Sequence, residues 1–319
     1  MEYRKVIKFG NSSLVVSLPN TWVKKNNIKK GDSIFFEENG SNELVFRASS
    51  NFKRYKKRIL INATNKELIE IEREVNANYI KGFDTIEVLD ENMHSRSKDI
   101  RDILQNLVGL EILEQTQKRL IAKDLSDIDS IPVLGLVKRI DIIIRSMMQD
   151  SFNLLTSNRK EKEDKVSSIY DRDKDINRLV FLAFRVLRFL LDNPSFAARK
   201  NIANQKIFSY FIIFENLEKL ADTIKRRSRL LISTNQDQEY NKELMPLLKN
   251  LEGYYSDCMK AFINNDAKFA LEVGSRKDKF IETHKKLLDK YNDANTALIH
   301  ELLNSTLVYI RNLARSVYA

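Results

Sequence analysis

Cysteine, histidine, glycine and proline are all scarce in this chain of 319 residues, and each scarcity excludes something. A single cysteine, Cys258, rules out a disulfide framework and any zinc site built on cysteine pairs. Three histidines (His94, His284 and His300) lie far apart, so no histidine-rich metal motif is present. Eight glycines and four prolines leave few turn signals, which argues against a large all-β fold. No apolar run approaches the roughly 18 residues that span a bilayer, and residues 1–10 lack the apolar stretch of a secretion signal. A cytoplasmic protein without membrane insertion is therefore expected. No glycine-rich phosphate cradle appears, nor any base and nucleophile at catalytic spacing, so an enzyme is not expected.

What is abundant is charge. Asp, Glu, Lys and Arg make up 31% of the chain, above the roughly 25% of ordinary globular proteins, which points to long solvated helices. The net charge is +10, and it is concentrated. Residues 1–60 hold 13 Lys and Arg against 5 Asp and Glu, a surplus of 8. A basic head on a nearly neutral body suits binding to a polyanion, although a lysine-rich surface also serves solubility alone.

The punctuation divides the chain into three parts. Residues 1–50 read as short strands with turns, three of the eight glycines (Gly10, Gly31, Gly40) and a short helix at 21–27 capped by Asn20. Strands at 33–37 and 43–48 flank Asn39-Gly40, a hairpin dipeptide. Residues 57–126 read β-α-β-α-β-β, with strands at 58–63, 85–89, 110–114 and 119–123 and helices at 65–80 and 95–107. From residue 131 to 319 the apolar period is helical. Six helices are expected, at 131–156, 165–192, 203–233, 238–264, 266–291 and 294–318, with Ile169, Ile176, Ala183 and Leu190 forming a bundle-facing stripe. The fold class is thus multidomain, α+β followed by all-α.

Two resemblances sharpen this reading. The run Lys8-Phe9-Gly10-Asn11-Ser12-Ser13-Leu14-Val15-Val16-Ser17-Leu18-Pro19, with Trp22-Val23 and Lys30-Gly31-Asp32 after it, resembles the SpoVT/AbrB-like swapped-hairpin DNA-binding domain. That resemblance implies a homodimer of interleaved hairpins over residues 1–50 with DNA as partner. Carried over by position, Arg4, Lys5, Lys8, Asn11 and Ser12 would lie at the binding face, with Lys24 and Lys25 as an extension. Cations release condensed counterions from phosphates, and Asn11 and Ser12 in a turn can donate to phosphate oxygens or base edges. The other reading of Lys5 and Lys8 is the solvated face of a strand.

In the helical part, residues 170–179 (Tyr170-Asp171-Arg172-Asp173-Lys174-Asp175-Ile176-Asn177-Arg178-Leu179) and 215–222 (Glu215-Asn216-Leu217-Glu218-Lys219-Leu220-Ala221-Asp222) resemble acidic helices of the PhoU family. The resemblance implies a six-helix bundle of two three-helix repeats. Together the parts look like archaeal phosphate-uptake regulators, which implies transcriptional regulation of phosphate uptake and homeostasis. The alternative is a regulator that does not bind DNA and acts on the phosphate transporter ATPase or a phosphate-signalling protein.

Asp171 and Asp175, and Glu218 and Asp222, are spaced i, i+4. Four converging carboxylates, with Glu215 as a fifth ligand, would hold a divalent or iron-type metal ion. The second repeat keeps the apolar frame but carries Val308 and Asn312 at the equivalent positions. The same acids could instead form in-helix pairs, Asp171 with Lys174, Asp175 with Arg178, and Asp222 with Arg226. Arg226, Arg227 and Arg229, near a helix C-terminus, complement its dipole, with a partner or phosphate site there as a further reading.

Overall fold

The structure, a computed structural model, describes residues 2–38, 43–48, 56–233, 238–291 and 293–318. The chain divides into two compact units, Met1–Tyr55 and Lys56–Ala319.

The first unit is two hairpins and a helix. Strands β1 (Ile7–Phe9) and β2 (Ser13–Val15) pair antiparallel with Lys8 opposite Leu14, and Gly10 takes the positive φ of +68° that the turn requires. Helix α1 spans Asn20–Lys25 and has Pro19, not Asn20, at its N-cap, so no side chain caps it. A second hairpin joins β3 (Phe35–Glu38) to β4 (Leu44–Arg47); the expected Asn39-Gly40 turn lies outside the described residues. Pairing in β1 is confined to Ile7–Phe9, which are the residues that find a ladder partner in β2.

The second unit starts with an α+β layer. Strands β5 (Arg58–Asn62), β6 (Thr85–Leu89), β7 (Leu110–Gln115) and β8 (Arg119–Asp124) lie in the order β5-β6-β8-β7. The β5–β6 pair is parallel, the others antiparallel. Helices α2 (Leu68–Ile80) and α3 (Met93–Gln105) supply Ile71, Val75, Tyr79, Ile100 and Leu104 to a core shared with the inward residues Ile61, Ile86, Val88, Leu120 and Ala122. The element order is the expected β-α-β-α-β-β.

The bundle follows as α4 (Val133–Asn153), α5 (Arg159–Asp192), α6 (Pro194–Arg199), α7 (Asn204–Ser233), α8 (Gln238–Asn264), α9 (Ala267–Ser275), α10 (Lys277–Lys290) and α11 (Ala294–Tyr318). Two points differ from the six-helix expectation. Pro194 opens a short helix, because proline at N1 has no amide to lose. The helix expected at 266–291 breaks at Arg276, whose amide caps α9 by bonding the Val273 carbonyl. Helix α5 also starts earlier than 165, at a capping box in which the Asn158 side chain accepts from the Glu161 amide (3.0 Å) and Glu161 returns the bond.

A second, larger core fills the bundle, including the expected stripe Ile169, Ile176, Ala183 and Leu190. The α+β layer is fastened to it by one buried side chain of α5. Arg185 is fully buried and donates to the carbonyls of Tyr79 and Phe83 and to Asp124 Oδ2 at 2.7 Å. Its guanidinium also lies 4.7 Å from the Tyr79 ring centroid. Phe181, one turn earlier, packs against the core of the α+β layer.

Candidate functional sites

The first unit carries the expected basic residues on an unusual scaffold. None of its described residues is buried, and Phe9, Leu14, Val15, Phe35, Phe36, Leu44 and Phe46 are all exposed. The β1–β2 register puts Ile7 with Val15 on one side and Lys8 with Leu14 on the other, so both faces of the hairpin are partly apolar. Two short hairpins of this kind do not hold a fold by themselves and need a second apolar surface. Arg4, Lys5, Lys8, Asn11, Ser12, Lys24 and Lys25 are exposed, as the sequence leads one to expect. Asn11 and Ser12 occupy the β1–β2 turn, and Arg4 pairs with Glu2. Trp22 is half-buried inside the unit rather than displayed.

In the bundle, the four carboxylates expected to converge do not. Asp171 and Asp175 are exposed and pair within their own helix, Asp171 with Lys174 (3.3 Å) and Asp175 with Arg178 (3.7 Å). The reason is helical phase. Asp171 is two residues past Ile169, about 200° round the helix, and so on the opposite face. The residue in the stripe is Asp173, four after Ile169 and three before Ile176, and it is 4% exposed.

Asp173 meets α7. Lys225 Nζ lies 2.7 Å from Asp173 Oδ2 and 2.8 Å from Asp222 Oδ1, so one ammonium joins two carboxylates from two helices. Burial tends to lower the Lys225 pKa, but its hydrogen bonds to Asp173 and Asp222 outweigh that and raise it. Glu218, half-buried beside them, has its pKa raised, first by burial and then by the charges of Asp222 and Asp173. Asp173 Oδ1 is buried without a hydrogen-bond partner. Glu215 is committed to Lys219, 2.6 Å away. Among the described residues no group of three or more His, Cys, Asp or Glu is placed to hold a metal ion. Lys225, a residue the sequence pattern does not single out, sits among these carboxylates where the expectation placed a cation.

Glu218, Asp222 and Lys225 line one side of a groove of about 660 Å³ between α5, α7 and α11. Tyr170, Arg226, Arg229, Glu301 and Tyr309 complete its polar rim, and Leu298 and Leu302 its floor. Arg226 is 4.0 Å from Asp222, and Arg229 is exposed. The groove therefore offers cations and aromatic hydroxyls together with carboxylates, which suits a polar ligand or side chain more than an apolar one.

The remaining candidates are interior. His284 and His300 are both buried, with ring centroids 4.7 Å apart and the Tyr240 hydroxyl 3.5 Å from His300 Nε2. Burial lowers the pKa of His284 and takes that of His300 down to about 4, so both are neutral near pH 7. Cys258 is buried, and burial pushes its thiol up to about 12, which makes it an inert packing residue. No helix among the described residues is long and apolar enough to cross a membrane.

Comparison with known proteins adds two findings. Residues 7–50 match the family described as antidote-toxin recognition MazE, bacterial antitoxin. The crystal structure of PhoU from Pseudomonas aeruginosa superposes with a TM-score of 0.49 at 17% sequence identity, covering 58% of this chain and 93% of that one. No curated protein matches the chain.

Proposed function

We propose that this chain is a dimeric DNA-binding regulator whose helical body reads phosphate status. The observation that carries the first half is a coincidence of three features in one segment. Residues 7–50 match an antitoxin-type family, residues 1–60 around them carry a surplus of 8 positive charges out of the chain's net +10, and the apolar residues of the hairpins are left exposed for a second copy. A second copy that interleaves its hairpins would cover Phe9, Leu14, Val15 and Phe36. It would also duplicate Arg4, Lys5, Lys8, Asn11 and Ser12 on one surface, which suits two successive turns of duplex.

The second half, phosphate uptake and homeostasis, rests on the acidic helix motifs at 170–179 and 215–222, which resemble those of the PhoU family. Glu218 and Asp222 face the groove between α5, α7 and α11, and Asp173, in place of Asp171 and Asp175, holds Lys225 of its lining. In this reading the groove takes the effector, or a charged side chain of a phosphate transporter or signalling protein. A metal ion, if one acts here, would have to take the place of the Lys225 ammonium among Asp173, Glu218 and Asp222.

Selection of genomic duplex fragments by the full-length protein tests the proposal. Recovery of fragments lying upstream of phosphate-uptake genes supports both halves. Recovery of fragments unrelated to them removes the phosphate half, and failure to retain duplex at low salt removes the DNA half.

A further inference from the structure

Arg227 is out of place. It follows the exposed Arg226 on α7 but turns inward, is 3% exposed, and stands between α4 and α11. Its hydrogen bonds among the described residues are two long ones to neutral hydroxyls, Thr306 Oγ1 at 3.5 Å and Ser151 Oγ at 3.3 Å. Its Nε is buried with no partner. A guanidinium carries five N–H donors, so most of its capacity is unused.

Among the described residues no carboxylate balances it. Asp150, beside Ser151 on α4, is committed to Arg172. Asp222, one and a half turns earlier on α7, is held by Lys225 and approached by Arg226. Glu301, on α11, belongs to the exposed groove. Burial alone pushes the Arg227 pKa down to about 10, with no carboxylate close enough to oppose the shift, so the side chain is cationic at neutral pH. A buried, unpaired charge is among the costliest features a protein can hold, and native structures pair such charges. The last turn of α4 turns its partial negative end toward this region, but a helix end carries only about half a charge, and Arg227 makes no bond to its carbonyls.

The hydroxyls around it are oriented by their other bonds. Thr306 donates its proton to the Leu302 carbonyl (2.8 Å), and Ser228 donates to the Ile224 carbonyl (2.8 Å). The Ser151 hydroxyl accepts from Arg227 and has no carbonyl of its own to donate to among the described residues. Arg227 Nε, the spare Nη hydrogens and the Ser151 hydroxyl are therefore a set of donors with nothing to donate to. All of Arg227, Ser151, Ser228 and Thr306 are buried, which limits an occupant to a few atoms.

We infer that the space between α4, α7 and α11 at Arg227 and Ser151 is a buried site for a small inorganic anion, a halide or an oxyanion of phosphate size. The anion would accept from the guanidinium and from Ser151, and would neutralise the one cation of the bundle interior that has no acidic partner among the described residues. Neither Arg227 nor Ser151 lines the groove, although Thr223 and Leu230, one turn before and after Arg227 on α7, do.

The test uses the full-length protein in gluconate buffer at constant ionic strength, titrated separately with sodium chloride and sodium orthophosphate. Melting temperature and the ³⁵Cl NMR linewidth are the readouts. The expected result is a saturable rise of about 5 °C at a hundredfold excess over Kd with at least one of the two anions. Arg227→Met should lose that rise, and Ser151→Ala should weaken the apparent affinity about tenfold, the effect of one hydrogen bond to a charged group. Ser151→Ala keeps the buried cation and its packing, so it remains informative if Arg227→Met does not fold. A response to chloride alone identifies a halide site, and a response to orthophosphate alone an oxyanion site. No saturable response in the wild-type protein overturns the inference, as does a response that both variants retain in full.

Discussion

The ammonium of Lys225 on α7 stands 2.7 Å from the buried carboxylate of Asp173 on α5, and this pair ties together the two helices that carry the acidic motifs. A half-buried lysine is therefore the counter-charge of the cluster. Replacing it with methionine would strand the Asp173 charge in a site 4% exposed, for which a loss of about 3 kcal/mol is typical. The double variant Lys225→Met with Asp173→Asn should recover most of that loss. Urea unfolding of the four proteins of the cycle measures it, and a double variant no better than the single one would show that the pair is not coupled.

The same arrangement bears on metal. Manganese, iron, zinc or magnesium added to wild-type protein must compete with an ammonium that Asp173 and Asp222 already hold. Lys225→Ala vacates the place, so a metal-dependent rise in melting temperature is expected to be larger in that variant than in the wild type. An equal rise in both would mean that the ion binds elsewhere, and Asp171 with Asp175 would be the next pair to substitute.

Glu218 gives a pH dependence with a definite sign. Its pKa is raised in the folded state, by burial first, so the ionised form is destabilising. Its contribution to stability is fully present below the unfolded pKa and is lost as the pH climbs from there through the raised folded value. Glu218→Gln should therefore raise the melting temperature at pH 7 and approach the wild-type value in acid. A variant that is less stable at both pH values would assign Glu218 a structural hydrogen bond instead.

His300 works in the opposite direction. Its folded pKa of about 4 lies below the ordinary 6.5, so its contribution is complete above 6.5 and is lost as pH falls from there toward 4. The full loss is on the order of 3 kcal/mol. His284, Tyr240 and Tyr291 are its ring neighbours or next neighbours and add no acid to offset the charge. His300→Phe should flatten the stability profile across this window, as followed by chemical denaturation at half-unit steps of pH.

Much of the fold is legible in the sequence because its period is unambiguous. The strands at 85–89 and 119–123 and the stripe from Ile169 to Leu190 follow from alternation and from a seven-residue repeat. The acidic helix is misread when spacing is taken without phase. Asp171 and Asp175 share a face, but it is the outer one, whereas Asp173 lies within the apolar stripe itself. An acid inside a stripe of Ile169 and Ile176 is the signal that identifies it. The break at Arg276 is marked only by Gly274, two residues before it, a signal too weak to separate it from a glycine inside a continuous helix. Arg185, Arg227 and the His284–His300 contact depend on helices distant in sequence, and no local pattern announces which arginine of a helix turns inward.

In the proposed function the exposed apolar hairpins of the head pair two chains and present Arg4, Lys5 and Lys8 to DNA. The most direct test is the affinity of the full-length protein for a duplex over a salt series, beside the variant Arg4→Glu/Lys5→Glu/Lys8→Glu. For the wild-type protein the account predicts a linear fall of log K against log salt. In the variant it predicts weaker binding to every duplex and a slope shallower by about one for each phosphate no longer neutralised. Equal slopes and equal affinities for the two proteins would contradict it and leave the head as a dimerisation device alone.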